Sequence, residues 1–585
     1  MNGDTWDLSV LYQGLEDPAL DADIDAVRRL GADCDAALAG GEDDGIKLEA
    51  VVRIMETAFN KLYRAGMYVN LLLSTDAENE AALRYADTLS NLMVDAQLLN
   101  SKCVRFIGGV KDLDAKIEGS VLLGKNAFAL REAAKKAAHM LPVDLEQWML
   151  RMSLSGADAF SKLRDRLMGS HTVELNGESL PLPAVRGMAY DPDPAVRKAA
   201  YEAELASYRK VETPMAYCLA GIKGEALTLC EAKGYPDVLT QQLEESRMDR
   251  ETLDAMLEAI REALPDFRRY LRAKAGLLGH PDGLPFYDLF APVGKSVRRY
   301  TIEEARALLV RVFTEVNPDM GAFIDHAFDA RWIDLYPRKG KEGGAFCAGN
   351  HELRISRVLT NFVGSFSDVS TLAHELGHAW HNRCLEEQPV LLTDVPMPLA
   401  ETASIFNETL LNHTVRSTAD EETRFALLES DLMEATQTVV DIYSRFLFES
   451  AVFEARKTHI PTAAELNGMM LDAQEKAYGD GLAKDARHPG MWINKSHYYG
   501  TDIHFYNFPY AFGLLFGLGV FAKYREKGSA FMSEYNALLS SCGRGKVADV
   551  AASVGIDVRS AAYWRGALDV VRAEVDQFVA GCGKR

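Results

Sequence analysis

Two histidines and a glutamate give this chain its clearest chemical signature. They stand in Ser370-Thr-Leu-Ala-His374-Glu375-Leu-Gly-His378-Ala-Trp-His381. On a helix, residues four apart lie on one face, a little over one turn from each other. The imidazoles of His374 and His378 can therefore meet a single zinc ion. Glu375 then points beside that ion, where its carboxylate can take a proton from a water that the ion activates. The competing account makes His374 and His378 ordinary buried helix histidines, and a third ligand decides between the two.

Three arrangements of that ligand can be tested against the chain. One needs glycine at 381 and histidine at 384; the sequence has His381 and Cys384, so it fails. A second uses His381, but seven residues of helix separate it from His374 by about 10.5 Å along the axis. Zinc–nitrogen bonds are only about 2.0–2.1 Å long, so His381 is better read as a packing or supporting residue. The third takes a glutamate from a following helix. Pro396-Met-Pro398-Leu-Ala-Glu401-Thr-Ala-Ser404-Ile-Phe-Asn407-Glu408 supplies it. Pro398 suits the first turn of a helix. Glu401, Ser404 and Glu408 then share a face, which makes Glu401 the candidate third ligand. Ser404 and Glu408 are candidates for orienting the ligands, and for Glu408 a solvated helix glutamate is the equal alternative.

The elements that must hold these groups follow. Ser367 and Asp368 are suitable N-caps ahead of the histidine helix, and no proline interrupts residues 368–388. Upstream, Gly343-Gly-Ala-Phe-Cys-Ala-Gly349 and residues 353–359 are strand candidates. Small residues there would allow close backbone approach, and a sheet edge can pair with an extended peptide; a loop leading into the helix is the alternative.

The two metal segments together resemble the thimet oligopeptidase and oligoendopeptidase F family of zinc metallopeptidases. Thr5-Trp6-Asp7-Leu8-Ser9 and Leu11-Tyr12 resemble the start of oligoendopeptidase F in particular. The resemblance extends over nearly the whole chain. It implies a mainly α, multi-helix zincin-type fold with a small β element beside the active-site helix and helical lobes around a deep substrate channel. It also implies that the glycine-rich strand binds substrate. Hydrolysis needs donors for a tetrahedral oxyanion, and the family has a histidine followed by tyrosines four apart in its carboxy-terminal region. Tyr506 and Tyr510 match that spacing. His497, in Ser-His-Tyr-Tyr-Gly, is the preferred histidine, with His504 its competitor.

Composition bounds the remaining possibilities. With 585 residues, 48% hydrophobic and 25% charged, the chain reads as an ordinary globular protein. A net charge of −21 argues against a nucleic-acid partner. The opening Met1-Asn-Gly-Asp-Thr-Trp-Asp lacks the features of a signal peptide. The longest apolar run, residues 508–522, is too short and glycine-rich for a membrane span. The eight cysteines are scattered without Cys-x-x-Cys, which fits a reducing cytoplasm and gives them no part in zinc binding.

Residues 1 to about 170 read as successive amphipathic helices, with stripes over 46–72, 85–99, 126–152 and 156–168. Thr172-Val-Glu-Leu and Ser179-Leu-Pro-Leu around Asn176-Gly177 predict a hairpin. Asp191-Pro-Asp-Pro opens a further helix, and Thr301 with Glu304 forms a capping box. Residues 421–459 read as one long helix. Residues 484–512, rich in aromatics, glycine and proline, do not read as regular helix. The division expected is a helical lobe over 1–190 and a catalytic domain over 191–585.

The function expected is a cytoplasmic endopeptidase that cleaves internal bonds of short, unstructured oligopeptides. One zinc ion is held by His374, His378 and Glu401, Glu375 is the general base, and His497, Tyr506 and Tyr510 stabilise the oxyanion and hold substrate. A zinc carboxypeptidase or dipeptidyl carboxypeptidase and a non-catalytic peptide-binding protein are the alternatives. Neither a nucleic acid nor a membrane is an expected partner, and the sequence leaves the oligomeric state open.

Overall fold

The structure is a computed structural model that describes residues 4–294 and 298–585. Residues 1–3, the head of the stretch compared above with a signal peptide, lie outside the described residues. The chain is mainly α, with two small sheets. It divides into two compact units. The first comprises Met1–Met140, Arg298–Thr414 and Lys523–Gly555; the second comprises Leu141–Val297, Val415–Ala522 and Ile556–Arg585. Each unit draws on both sides of residue 190, so compactness partitions the chain differently from the sequence division at that point.

In the first unit, α1 (Pro18–Ala39), α2 (Asp44–Thr75) and α3 (Glu80–Gly109) pack on one another through the apolar stripes that the sequence shows. Leu20, Ile24, Val69, Leu71, Leu89 and Leu92 are buried in their shared core. Strands β3 (Ile333–Asp334), β4 (Phe346–Asn350) and β5 (Ile355–Leu359) form a sheet in the order β3-β5-β4, parallel at β3–β5 and antiparallel at β4–β5. The glycine-rich stretch is therefore an edge strand. Its residues alternate in direction: Phe346 and Ala348 pack toward the core of α1–α3, which leaves Cys347 and Gly349 for the opposite face.

In the second unit the expected hairpin is present as β1 (Thr172–Leu175) and β2 (Glu178–Pro181), paired antiparallel. Helix Pro194–Tyr208 starts on an Asp193 cap, as its prolines predict. Three sequence readings need correction. Residues 126–152 are not one helical stripe: the first helix ends at Ala137, a second begins after Pro142, and Val143–Ser153 buries none of its residues. The long helix over 421–459 ends at Arg456 and contains a π-turn at Gln437–Asp441, which inserts residues without a glycine or proline to announce it. Among residues 484–512, a regular helix already begins at Phe508.

The second unit also buries ion pairs. Lys274 Nζ lies 2.6 Å from Glu429 Oε1 and 2.9 Å from the Leu289 carbonyl, and Tyr270 donates to the same carboxylate at 2.9 Å. Burial pushes the Lys274 ammonium below the usual lysine range, and Glu429 opposes that shift. Glu429→Ala should strand this cation and cost about 3–5 kcal/mol, read as a lower denaturant midpoint. The apolar pair Lys274→Met with Glu429→Leu should recover most of the loss, and equal midpoints for the single and double variants would contradict this.

Candidate metal centre

The helix Phe366–Leu385 presents the two histidines. Its capping box uses Ser365, not the Ser367 or Asp368 expected as caps. Ser365 Oγ accepts from Asp368 N at 3.1 Å, and Asp368 Oδ2 accepts from Ser365 N at 2.8 Å. The outer face is pinned to helix Met532–Ser541. Trp380 Nε1 donates to Asn536 Oδ1 at 3.2 Å, and His381 Nε2 lies 3.2 Å from the Leu539 carbonyl. His381 is therefore a buried packing residue. Burial pushes its imidazole down to about 4, so it is neutral and engaged elsewhere.

Helices Met397–Ala400 and Thr402–Thr418 supply the glutamates. Glu401 stands at the break between them, and the ladder resumes with Ile405 N bonded to the Glu401 carbonyl at 3.0 Å. Gly377 lets this segment cross the histidine helix at backbone contact. A Cβ at 377 would lie 2.6 Å from the Ala403 carbonyl and 2.7 Å from Ser404 Cα. Asn407 Nδ2 ties the crossing by donating to the Ala373 carbonyl at 3.2 Å.

The crossing brings three ligand atoms together. His374 Nε2 and His378 Nε2 each lie 3.4 Å from the same oxygen, Glu401 Oε2. A tetrahedral ion with bonds of about 2.0–2.1 Å spaces its ligands about 3.3–3.4 Å apart, so the donor set fits a zinc-sized ion. Among the described residues, His374, His378 and Glu401 form the one group with metal-ligand spacing, and no cysteine joins it.

Their orientation is fixed from behind. His374 Nδ1 lies 3.1 Å from Glu408 Oε2. A proton donated from Nδ1 leaves the Nε2 lone pair facing the ligand cluster. Ser404 Oγ donates to Glu401 Oε2 at 2.8 Å. The serine and glutamate placed on the face of Glu401 thus both meet the ligands, and Glu408 is not a solvated surface group. Sequence reasoning missed Ser370, whose Oγ lies 3.1 Å from Glu408 Oε1 and 3.0 Å from Asn412 Oδ1. The available signal was spacing, since Ser370 precedes His374 by one turn and Asn412 follows Glu408 by one.

Electrostatics agree with the geometry. Burial alone would lower His374, but hydrogen bonds to Glu401 and Glu408 outweigh it and hold the imidazole up at about 10. Burial likewise opposes ionisation of Glu401, and the two histidines more than offset it, so its carboxyl stays far below the usual range. This pocket stabilises positive charge where the three groups converge. Glu375 differs: burial raises its carboxyl, the histidines only partly compensate, and it is 6% exposed. A carboxylate raised in this way is suited to holding a proton in passing. All four residues line a cavity of about 600 Å³ whose other walls include Tyr63 of α2 and the edge strand at Cys347 and Gly349.

The other expected residues belong to the second unit. His497 stacks on Tyr506 with ring centroids 6.3 Å apart, and Tyr506 and Tyr510 share a 2.6 Å hydroxyl–hydroxyl hydrogen bond. Burial, followed by the Arg445, Lys495 and Lys223 cations, pushes His497 down to about 2, so its imidazole is neutral. His504 is turned inward. Its Nδ1 lies 3.2 Å from Lys223 Nζ and its ring packs edge-on against Phe453. Phe505, at φ 52°, makes the turn that separates the two directions.

The model of peptidase family M3 matches residues 187–570. The chain belongs to peptidase family M3. Membership of this metallopeptidase family implies a bound metal, and the His-His-Glu cluster is where the chain can hold it. Similar proteins include "Oligoendopeptidase F homolog" of Lactococcus lactis subsp. lactis (strain IL1403), 27% identical over 66% of this chain. The match spans 63% of that relative's own length. "Oligopeptidase PepF" of Bacillus subtilis (strain 168) is 22% identical over 98% of this chain and 87% of its own. The solved structure of oligoendopeptidase-F from Enterococcus faecium superposes with a TM-score of 0.73 at 17% identity, covering 97% of this chain and 99% of that one. At such identity the likeness establishes the M3 fold alone.

Glu408→Ala should lower metal affinity about 10–100-fold, measured by competition with a chelator. Gly377→Ala should lower both metal affinity and Tm, because the helices must part. Unchanged metal affinity in both variants would refute the role given to the crossing.

Proposed function

We propose that the chain is a zinc-dependent endopeptidase that hydrolyses internal peptide bonds of short, unstructured oligopeptides in the cytoplasm. The observation that carries this reading is the convergence of His374, His378 and Glu401 on one point of a cavity also lined by Glu375. The oligopeptidase names of its relatives support the substrate class. Two imidazoles and one carboxylate at tetrahedral spacing are a donor set that suits zinc. Residues 191–585 are proposed as the catalytic domain, supported by the extent of the family match, with 1–190 as an amino-terminal lobe whose Tyr63 reaches the cavity wall. The eight free cysteines, without a disulfide among the described residues, are consistent with a reducing compartment.

When bound, zinc supplies a Lewis acid that makes water a nucleophile near neutral pH and polarises the scissile carbonyl. With the ion bound, His374 and His378 would each turn a nitrogen lone pair to it in place of a proton, and the contact of Glu408 with His374 Nδ1 favours the tautomer that does so. Ser404 holds Glu401 in place through the ligating oxygen. Glu375 takes the proton of the attacking water at its carboxylate and returns it to the leaving amine, a task its burial favours. His497, Tyr506 and Tyr510 are proposed as the groups that donate to the oxyanion and hold substrate. Their mutual contacts and the neutrality of His497 support that assignment.

The test is an end-blocked, internally quenched peptide given to wild type and Glu375→Gln. Wild type should cut an internal bond. The variant should retain one metal per chain and lose activity by at least about a thousandfold, since it loses the proton carrier. Near-normal cleavage by the variant would sink the mechanism, and cleavage restricted to peptides with a free carboxylate would turn the reading into a carboxypeptidase.

A further inference from the structure

One residue of the metal helix is engaged with the sheet rather than with the metal. Asn382 follows His374 and His378 at the next four-residue step, on the same helix face. Its Nδ2 donates to Ser356 Oγ of β5 at 3.1 Å and lies 3.9 Å from Cys347 Sγ of β4. Gly349 of β4 stands opposite Ser356, and a Cβ there would lie 2.3 Å from Asn382 Nδ2 and 2.6 Å from its Cγ. The carboxamide therefore occupies the space that a side chain on the strand would take. It bridges both strands at the register pair Gly349↔Ser356. Strand β4 pairs with β5 on one side only, and no strand among the described residues covers its other edge. Asn382, Gly349, Glu375 and His378 all line the same cavity.

We propose that Asn382 is a positioning residue that fixes the edge strand against the metal helix, so that an extended peptide paired along β4 presents its scissile bond at the ligand cluster. The inference rests on the endopeptidase reading and deepens it. The physical need is one of alignment. A strand advances about 3.3 Å per residue, and an edge strand free to shift against the helix must be ordered before a peptide can pair with it at the site, which weakens binding. Main-chain pairing along an edge has no side-chain selectivity of its own, so the height of the strand above the metal must be set from elsewhere. A hydrogen-bonded amide from the helix that carries the ligands sets both together.

The test compares wild type, Asn382→Ala, Gly349→Ala and the double variant on an end-blocked peptide. Binding of the intact peptide is titrated in parallel in a Glu375→Gln background, with Tm and metal content recorded. Asn382→Ala should raise KM, and weaken binding, roughly five- to tenfold, while kcat changes by less than about twofold. Gly349→Ala should raise KM at least as much, because its methyl displaces the carboxamide. The double variant should be no worse than Gly349→Ala, because the methyl then enters the space that Asn382 has left. Unchanged KM and peptide affinity in Asn382→Ala, or additive losses in the double variant, would overturn the proposal. The titration reads Asn382 even if wild type cleaves nothing, an outcome that would overturn the endopeptidase reading instead.

Discussion

The backbone contact between two helices at Gly377 is the constraint on which the first unit's chemistry depends. A side chain there would meet the Ala403 carbonyl and Ser404 Cα. With none, the segment carrying Glu401 comes close enough for one carboxylate oxygen to sit 3.4 Å from both imidazoles. The same crossing aligns Ser404 with Glu401, and Glu408 with His374. Three candidate ligands and two groups that contact them thus follow from one close approach. The arrangement lies at the wall of a cavity rather than deep in the core, which leaves these side chains accessible from the cavity.

Charge is distributed unevenly around this centre, and the unevenness separates its carboxylates. Glu401 and Glu408 surround His374 with enough negative charge to hold it up at about 10 despite burial. Glu375, one residue along the same helix, sits where burial dominates, and its carboxyl rises instead. Two carboxylates one helix crossing apart are therefore driven in opposite directions, Glu401 toward ionisation and Glu375 toward holding a proton. In the second unit, burial and neighbouring cations keep His497 neutral, and His504, its competitor in the sequence, is committed to Lys223 and Phe453.

Much of this was legible in the sequence because the decisive relations are local. His374, His378 and Glu375 follow from helical periodicity, and Glu401, Ser404 and Glu408 from the same periodicity one segment later. The hairpin at Asn176-Gly177 and the capping box at Thr301 were equally local, and both are present. What escaped needed tertiary information. Ser365, Ser367 and Asp368 are all capable caps, and only the path of the chain selects Ser365. Nothing in residues 421–456 signals the π-turn at Gln437–Asp441. The fit of Asn382 into the space above Gly349 joins a helix to a strand from a separate part of the sequence, and a glycine in a glycine-rich stretch gives no hint of which neighbour it accommodates.

His374, His378 and Glu401, with no thiol, are the proposed metal site. X-ray absorption at the zinc edge of the metal-loaded protein tests it most directly. Wild type should show only nitrogen and oxygen neighbours at about 2.0–2.1 Å, with two imidazole signatures, and Glu401→Ala a changed, weakened site. A sulfur shell near about 2.3 Å, or a spectrum that Glu401→Ala leaves unaltered, would contradict it.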